Sequence, residues 1–173
     1  MLNLLMKRRS IRKYKEKPIE KKTLDKILQG ALTSPSSKSR RPWELVVIED
    51  KGGLEKLGDS RGSHSRPISN APLAIVVAAD PRKSDVYVED CSIIALAIQL
   101  MAESEGLGSC WIQVRNRTTP WDESVEDYIK GILDIPGDYI VECVIALGYS
   151  DETKKSHNIV DLPYNKIHYD KFK

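Results

Sequence analysis

The residues best suited to chemistry lie near the N-terminus, where Lys7-Arg8-Arg9-Ser10-Ile11-Arg12-Lys13-Tyr14 carries five cations in eight positions. Arginines with an interposed serine suit an anion that needs several donors at fixed positions, most commonly a phosphate. A solvated basic face would have the same composition. The wider charge pattern favours a ligand. Between positions 7 and 26, ten cations stand against Glu16, Glu20 and Asp25, a local excess of +7 on a chain of net charge +2, which leaves −5 elsewhere. Such a local excess on a near-neutral chain points to a discrete anionic ligand more than to a nucleic-acid-coating surface.

Other familiar chemistries are missing. There is no Walker-type loop and no Gly-x-Ser-x-Gly elbow. Gly106-Leu107-Gly108 falls between a helical and a strand pattern, the reverse of the order a dinucleotide fingerprint requires. His64, His157 and His168 lack metal-ligand spacing, so no metal is expected. Cys91, Cys110 and Cys143 are far apart, sit in or beside apolar runs, and read as reduced core residues. The sequence thus advertises no side-chain acid, base or nucleophile. An enzyme of this kind would borrow its chemistry from an organic cofactor.

The elements that must position these residues are legible from periodicity. A short helix is expected over 1–9, then an extended run over 12–17 ended by Pro18. Leu24, Ile27, Leu28, Ala31 and Leu32 form one face of an amphipathic helix, stopped by Thr33-Ser34-Pro35-Ser36-Ser37. Strands are expected over 45–48, 73–79, 110–114 and 139–147. The second, apolar on both faces, belongs in the middle of a helix-covered sheet. Glu49 to Gly53 reads as a closing turn, 54–57 as a helical turn, and 58–70 as a mobile loop with the option of being a lid. Residues 86–105 form the longest helix, with Gly106 as its stop, and Asp122 is a candidate cap for a helix over 125–133. Beyond Ser150 the chain turns polar but keeps Leu162, Tyr164, Ile167, Tyr169 and Phe172, which suggests an arm that packs on another subunit.

Length bounds the whole. At 173 residues, with 40% hydrophobic and 30% charged positions, a single domain over 1–173 is expected, its last portion, 150–173, an extended arm. No apolar run approaches membrane-spanning length and 1–6 is too short for a signal-peptide core, so a cytoplasmic protein with no membrane partner is expected.

Five segments, in order, resemble the FMN-dependent nitroreductase family. They are Arg8 to Tyr14, then Ser34-Pro35-Ser36-Ser37 with Arg41-Pro42-Trp43, then Asn70 to Val77, then Gly106 to Ile112, and last Ala146-Leu147-Gly148-Tyr149. The resemblance implies an α+β nitroreductase-like fold, a central, mostly antiparallel sheet flanked by helices, in a homodimer with exchanged C-terminal arms. It implies bound FMN, with NADH or NADPH as co-substrate and a small-molecule electron acceptor. Arg8, Arg9 and Ser10 would hold the phosphate and ribityl chain, with Lys155 and His157 as a second basic pair. Arg12 would approach the pyrimidine edge of the flavin. The backbone N–H of Gln113, after Ile112, would donate to flavin N5, and Pro35, Ser36, Ser37 and Ser39 would reach the cofactor from the partner. No residue is assigned a side-chain catalytic role.

The chain departs from the family pattern at four positions. Ser39 stands where asparagine is common, Arg41 replaces a glutamine, Val114 replaces a small residue, and His157 replaces an arginine. The first three touch ring contacts and pocket shape. The expected activity is electron transfer from NAD(P)H to a nitroaromatic, quinone or related acceptor by ping-pong exchange. The alternatives are a different reaction on the same cofactor (enone reduction, flavin reduction or flavin cleavage) or a non-catalytic anion or nucleic-acid binder.

Overall fold

A computed structural model describes residues 1–172. Its centre is a four-stranded antiparallel sheet in the order β1-β2-β4-β3, from β1 (Trp43–Ile48), β2 (Leu73–Ala79), β3 (Gly108–Gln113) and β4 (Ile140–Gly148). Antiparallel sheets often leave one face wet, but this one is covered on both. Every residue of β2 is buried, as is all of β4 after Ile140. Alternate residues therefore feed two cores. Ala74, Val76, Ala78, Val144 and Ala146 face one, and Leu73, Ile75, Val77, Cys143, Ile145 and Leu147 the other.

The second core is closed by α2 (Lys21–Leu32) and α5 (Tyr87–Ser104), whose Ile27, Ala31, Ile94 and Ile98 are fully buried. The first is closed by α3 (Lys51–Asp59), α4 (Arg66–Ser69) and α6 (Val125–Leu133). A short helix, α1 (Leu2–Lys7), precedes them and buries no residue. Its Leu2 and Leu5 stay exposed. All three cysteines are free and buried.

Strand boundaries shift by one or two residues from expectation, as element ends do. Three local differences go further. Residues 49–53 do not form a turn: the Asp50 carboxylate accepts from the Gly53 backbone N–H at 2.7 Å and caps α3, so Gly52 and Gly53 lie inside a helix. Asp122 does not cap α6. It adopts a left-handed φ of 66°, and Ser124 caps instead by accepting from the Asp127 N–H. Residues 58–70 contain the end of α3, a helical turn at Gly62–His64 and α4, with Ser60, Ser65, Pro67 and Ile68 buried. The serines drive that order. Ser65 Oγ donates to the Gly58 carbonyl at 2.6 Å and accepts from the Arg61 N–H at 2.8 Å, ties that composition alone does not reveal.

Candidate functional site

The basic segment is seated by two glycines. Gly108 and Gly148 pair across β3 and β4. A Cβ on Gly108 would lie 2.8 Å from Ile11 side-chain carbons, and one on Gly148 would lie 2.8 Å from the Tyr14 ring. The missing side chains open a groove into which Ile11 and Tyr14 sink, both buried. Ile11 N–H then donates to the Ser109 carbonyl at 2.9 Å, and the Tyr14 hydroxyl donates to the Ile11 carbonyl. Burial pushes the Tyr14 phenol far above its ordinary range. Ile11 and Tyr14 thus fix the register of Arg8, Arg9, Ser10 and Arg12.

The end of the chain runs beside the beginning. Lys15 N–H donates to the Tyr149 carbonyl and Asp151 N–H to the Lys13 carbonyl, both at 2.9 Å. Arg12 N–H donates to Glu152 Oε1 at 2.6 Å, Arg9 donates from its guanidinium to the Lys155 carbonyl, and His157 N–H donates to the Met6 carbonyl at 2.9 Å. Glu152 also pairs with Lys154 at 2.8 Å, and chiefly this bond, then the Arg12 N–H, hold its carboxyl below the usual glutamate range. Lys155 and His157 are thereby placed next to Arg8 and Arg9, most of the sequence intervening.

The arginines divide by direction. Arg9 shares a cavity of about 270 Å³ with Glu103, Gly106 and Lys154. Arg12, and after it Arg8, act electrostatically on Cys110, opposing the upward push that burial gives its thiol. Among the described residues, no carboxylate lies within ion-pair distance of the guanidinium of Arg8, Arg9 or Arg12. Glu152 is engaged by the Arg12 N–H and by Lys154, which leaves the three guanidinium groups without an ion pair and favours an anion between them.

A second cavity, of about 330 Å³, opens on the other side of the segment. Its wall combines Arg12, Ile112 and Gln113 with Arg61, His64 and Pro67. β3 is an edge strand, and its backbone groups alternate between β4 and the open side. Val114 N–H donates to Glu142 in the direction of β4, while the Gln113 carbonyl accepts from Arg61 at 3.0 Å on the open side. The Gln113 N–H therefore also faces the open edge. Covering by the N-terminal segment stops at Ser109, which leaves this edge free for a ligand that accepts a hydrogen bond.

Gln113 is clamped from behind. Its Oε1 accepts from Trp111 Nε1 at 2.9 Å and its Nε2 donates to Glu142 Oε1 at 3.1 Å. Glu142 is buried, its other oxygen lacks a hydrogen-bond partner, and Arg115 Nε stands 4.0 Å from it. A fixed side chain of this kind holds the backbone N–H in place.

The loop carrying Pro35, Ser36, Ser37 and Ser39 lies elsewhere in the same chain. Ser37 N–H donates to Asp90 Oδ1 at 2.8 Å, in the first turn of α5, and Ser84 Oγ donates to Asp90 Oδ2 at 3.0 Å. Arg9 shares its cavity with Glu103 in the last turn. About 20 Å of helix separates the two ends. One chain therefore does not bring the serine loop to the arginines. Lys38, Ser39 and Arg41 all take positive φ, between 47° and 55°, a conformation that costs non-glycine residues and concentrates at ligand sites. Sequence pattern does not single out Arg61, His64 or Pro67, because the buried serines that hold 58–70 in place act through tertiary contact alone.

The chain is similar to known proteins in sequence and fold. The Nitroreductase family model matches residues 5–65 and 61–149. An FMN-dependent nitroreductase of Clostridium difficile R20291 has a solved structure with a TM-score of 0.95 at 51% identity, covering 99% of this chain and 100% of that one. A relative in Archaeoglobus fulgidus, provisionally named NADH dehydrogenase/NAD(P)H nitroreductase, is 33% identical over 99% of this chain and 98% of its own. One of the same provisional name in Methanothermobacter thermautotrophicus is 34% identical over 99% and 87%.

Proposed function

The chain belongs to the nitroreductase family, and from that premise we propose an FMN-dependent oxidoreductase that takes electrons from NADH or NADPH and delivers them to a nitroaromatic, quinone or related acceptor. The observation that carries this reading is the juxtaposition of arginines, whose guanidinium groups make no ion pair among the described residues, with the uncovered edge of β3 at Gln113. A phosphate fits the first, and a planar ring with a hydrogen-bond acceptor at its margin fits the second. The residues present fit FMN.

Arg8, Arg9 and Ser10 would hold the phosphate with Lys155 and His157, guanidinium forks matching phosphate oxygens. Arg12 would stand at the pyrimidine edge of the ring, where a cation favours negative charge. The Gln113 N–H, fixed by Trp111 and Glu142 through its own side chain, would orient the ring at N5. When bound, FMN would supply the redox chemistry, hydride exchange between NAD(P)H and a second substrate in ping-pong order. The protein need contribute only position and charge.

We further read the working unit as a homodimer of single-domain subunits with exchanged arms. Pro35, Ser36, Ser37 and Ser39 would then reach the ring from the partner, across the distance one chain does not close. Exposed Ile159, Val160, Tyr164, Ile167, Tyr169 and Phe172, with Ile93 and Leu96 on α5, supply the apolar surface such a dimer would bury. Among the described residues no helix is long and apolar enough to cross a membrane.

The test is optical. The purified protein should be yellow, release FMN on denaturation and bleach with NADH or NADPH under anaerobic conditions. A protein that stays colourless after incubation with FMN would refute the reading.

A further inference from the structure

Arg61 is a cation without a counter-charge. Half-buried at the wall of the 330 Å³ cavity, it makes no ion pair among the described residues. The guanidinium groups of that wall are those of Arg12 and Arg61, and no carboxylate joins them. Glu142 lies behind Gln113 and is paired with Arg115. Burial, and then the neighbouring Arg117, lower the Arg61 pKa, both effects of holding a charge where nothing compensates it.

The side chain is also built in. The buried Ser65 hydroxyl fixes the Arg61 backbone N–H at 2.8 Å and is itself fixed to the Gly58 carbonyl. The guanidinium then donates to the Gln113 carbonyl at 3.0 Å. A guanidinium has five N–H donors, so most of its hydrogen-bonding capacity is left for a ligand. Gln113 is the residue whose own N–H faces the open edge, so an anion held by Arg61 would sit beside the point of electron exchange.

We propose that Arg61 selects the electron acceptor and that the acceptor carries a carboxylate on a small planar framework. This rests on the flavin reading of the site and adds a substrate class to it. A carboxylate matches the guanidinium fork in two parallel bonds. Covalent spacing argues against the other anion in the reaction, the pyrophosphate of the nicotinamide donor. A ribose separates those phosphates from the nicotinamide, which puts them outside a pocket whose cation is anchored on Gln113. Arg117, exposed and acting electrostatically on Arg61, adds long-range attraction for an entering anion.

The test is equilibrium binding to the FMN-loaded protein, with benzoate as the anionic probe and benzamide as its neutral isostere. Both are followed by flavin difference spectra and by calorimetry. The wild type should bind benzoate at least ~10-fold tighter than benzamide. Arg61→Gln should weaken benzoate by ~10–100-fold and change benzamide by less than ~3-fold. Arg61→Lys should restore part of the loss, since the charge remains and the fork does not. Equal benzoate affinity in the wild type and Arg61→Gln would overturn the proposal. So would a loss confined to NAD+ or NADP+, which would place a dinucleotide phosphate at Arg61. A lowered flavin midpoint potential with benzoate binding intact would also overturn it, because Arg61 would then be acting on the cofactor. A colourless protein would remove the flavin reading and this inference together, whereas a yellow protein indifferent to benzoate would remove this inference alone.

Discussion

Gly108→Ala tests whether the groove across β3 and β4 is what positions the basic segment. The added Cβ would stand 2.8 Å from Ile11 Cβ, Cγ1 and Cγ2. Carbon atoms rest at about 3.5–4.0 Å, so Ile11 must retreat by roughly 1 Å. Ile11 is buried and its N–H is bonded to Ser109, so the retreat strains that bond as well. Overpacking of this size costs about 1–3 kcal/mol, and a weakened backbone bond adds up to about 1 kcal/mol. We expect a fall of about 1–4 kcal/mol in urea denaturation. Because Ile11 lies between Ser10 and Arg12, FMN affinity should fall too, by at least ~10-fold in a fluorescence titration of the apoprotein. Adding Ile11→Ala removes two of the three clashing carbons and should recover part of the FMN affinity, a coupling that a double-mutant cycle measures. If Gly108→Ala matches the wild type in both stability and FMN affinity, the close approach of Ile11 does not set the register of the arginines.

Three further outcomes are expected. Arg8→Ala combined with Arg12→Ala should abolish FMN retention through gel filtration while the elution volume and circular dichroism of the folded protein persist; normal flavin content would place the phosphate elsewhere. The Glu152 carboxyl titrates lower in the folded chain than in the unfolded one. Its stabilising contribution is therefore complete above about pH 4.3 and lost as pH falls below that. The stability difference between wild type and Glu152→Gln should accordingly shrink between pH 5 and pH 3 in urea titrations, and a difference that stays constant over that range would contradict it. Asp90→Ala leaves the Ser37 N–H and Ser84 hydroxyl without their acceptor in a buried site, at a cost of about 2–4 kcal/mol. Limited proteolysis should then cut the 34–41 loop, and resistance equal to the wild type would mean that Asp90 does not anchor it.

Much of this protein is written in local pattern. The continuous apolar run of β2 announces a strand covered on both faces, because a strand so apolar has no side to give to water. The three-and-four spacing of Leu24, Ile27 and Ala31 announces α2. Gly106, at φ +78°, ends α5 as its position implies, since the turn needs a residue free to enter the left-handed region. Cations clustered around Ser10 announce an anion site through charge alone. The serine–proline loop and the glycines near β3 carry the family resemblance because they meet backbone constraints that few residues satisfy.

What tertiary structure decided is every relation between segments distant in sequence. No local signal shows that Arg9 meets the Lys155 carbonyl, since that contact exists only once β3, β4 and the N-terminal segment are paired. The choice of Ser124 over Asp122 as the cap of α6 depends on which residue the preceding turn leaves extended. The segment 58–70 reads as slack by composition. Ser65 makes it rigid by bonding to Gly58 and Arg61, and Ile68 by full burial. That same rigidity turns Arg61 from one more surface arginine into a fixed cation at the Gln113 edge. Periodicity and propensity are short-range quantities, whereas a site is a set of long-range distances, so the chain could declare its cofactor chemistry and still conceal the cation fixed at the Gln113 edge.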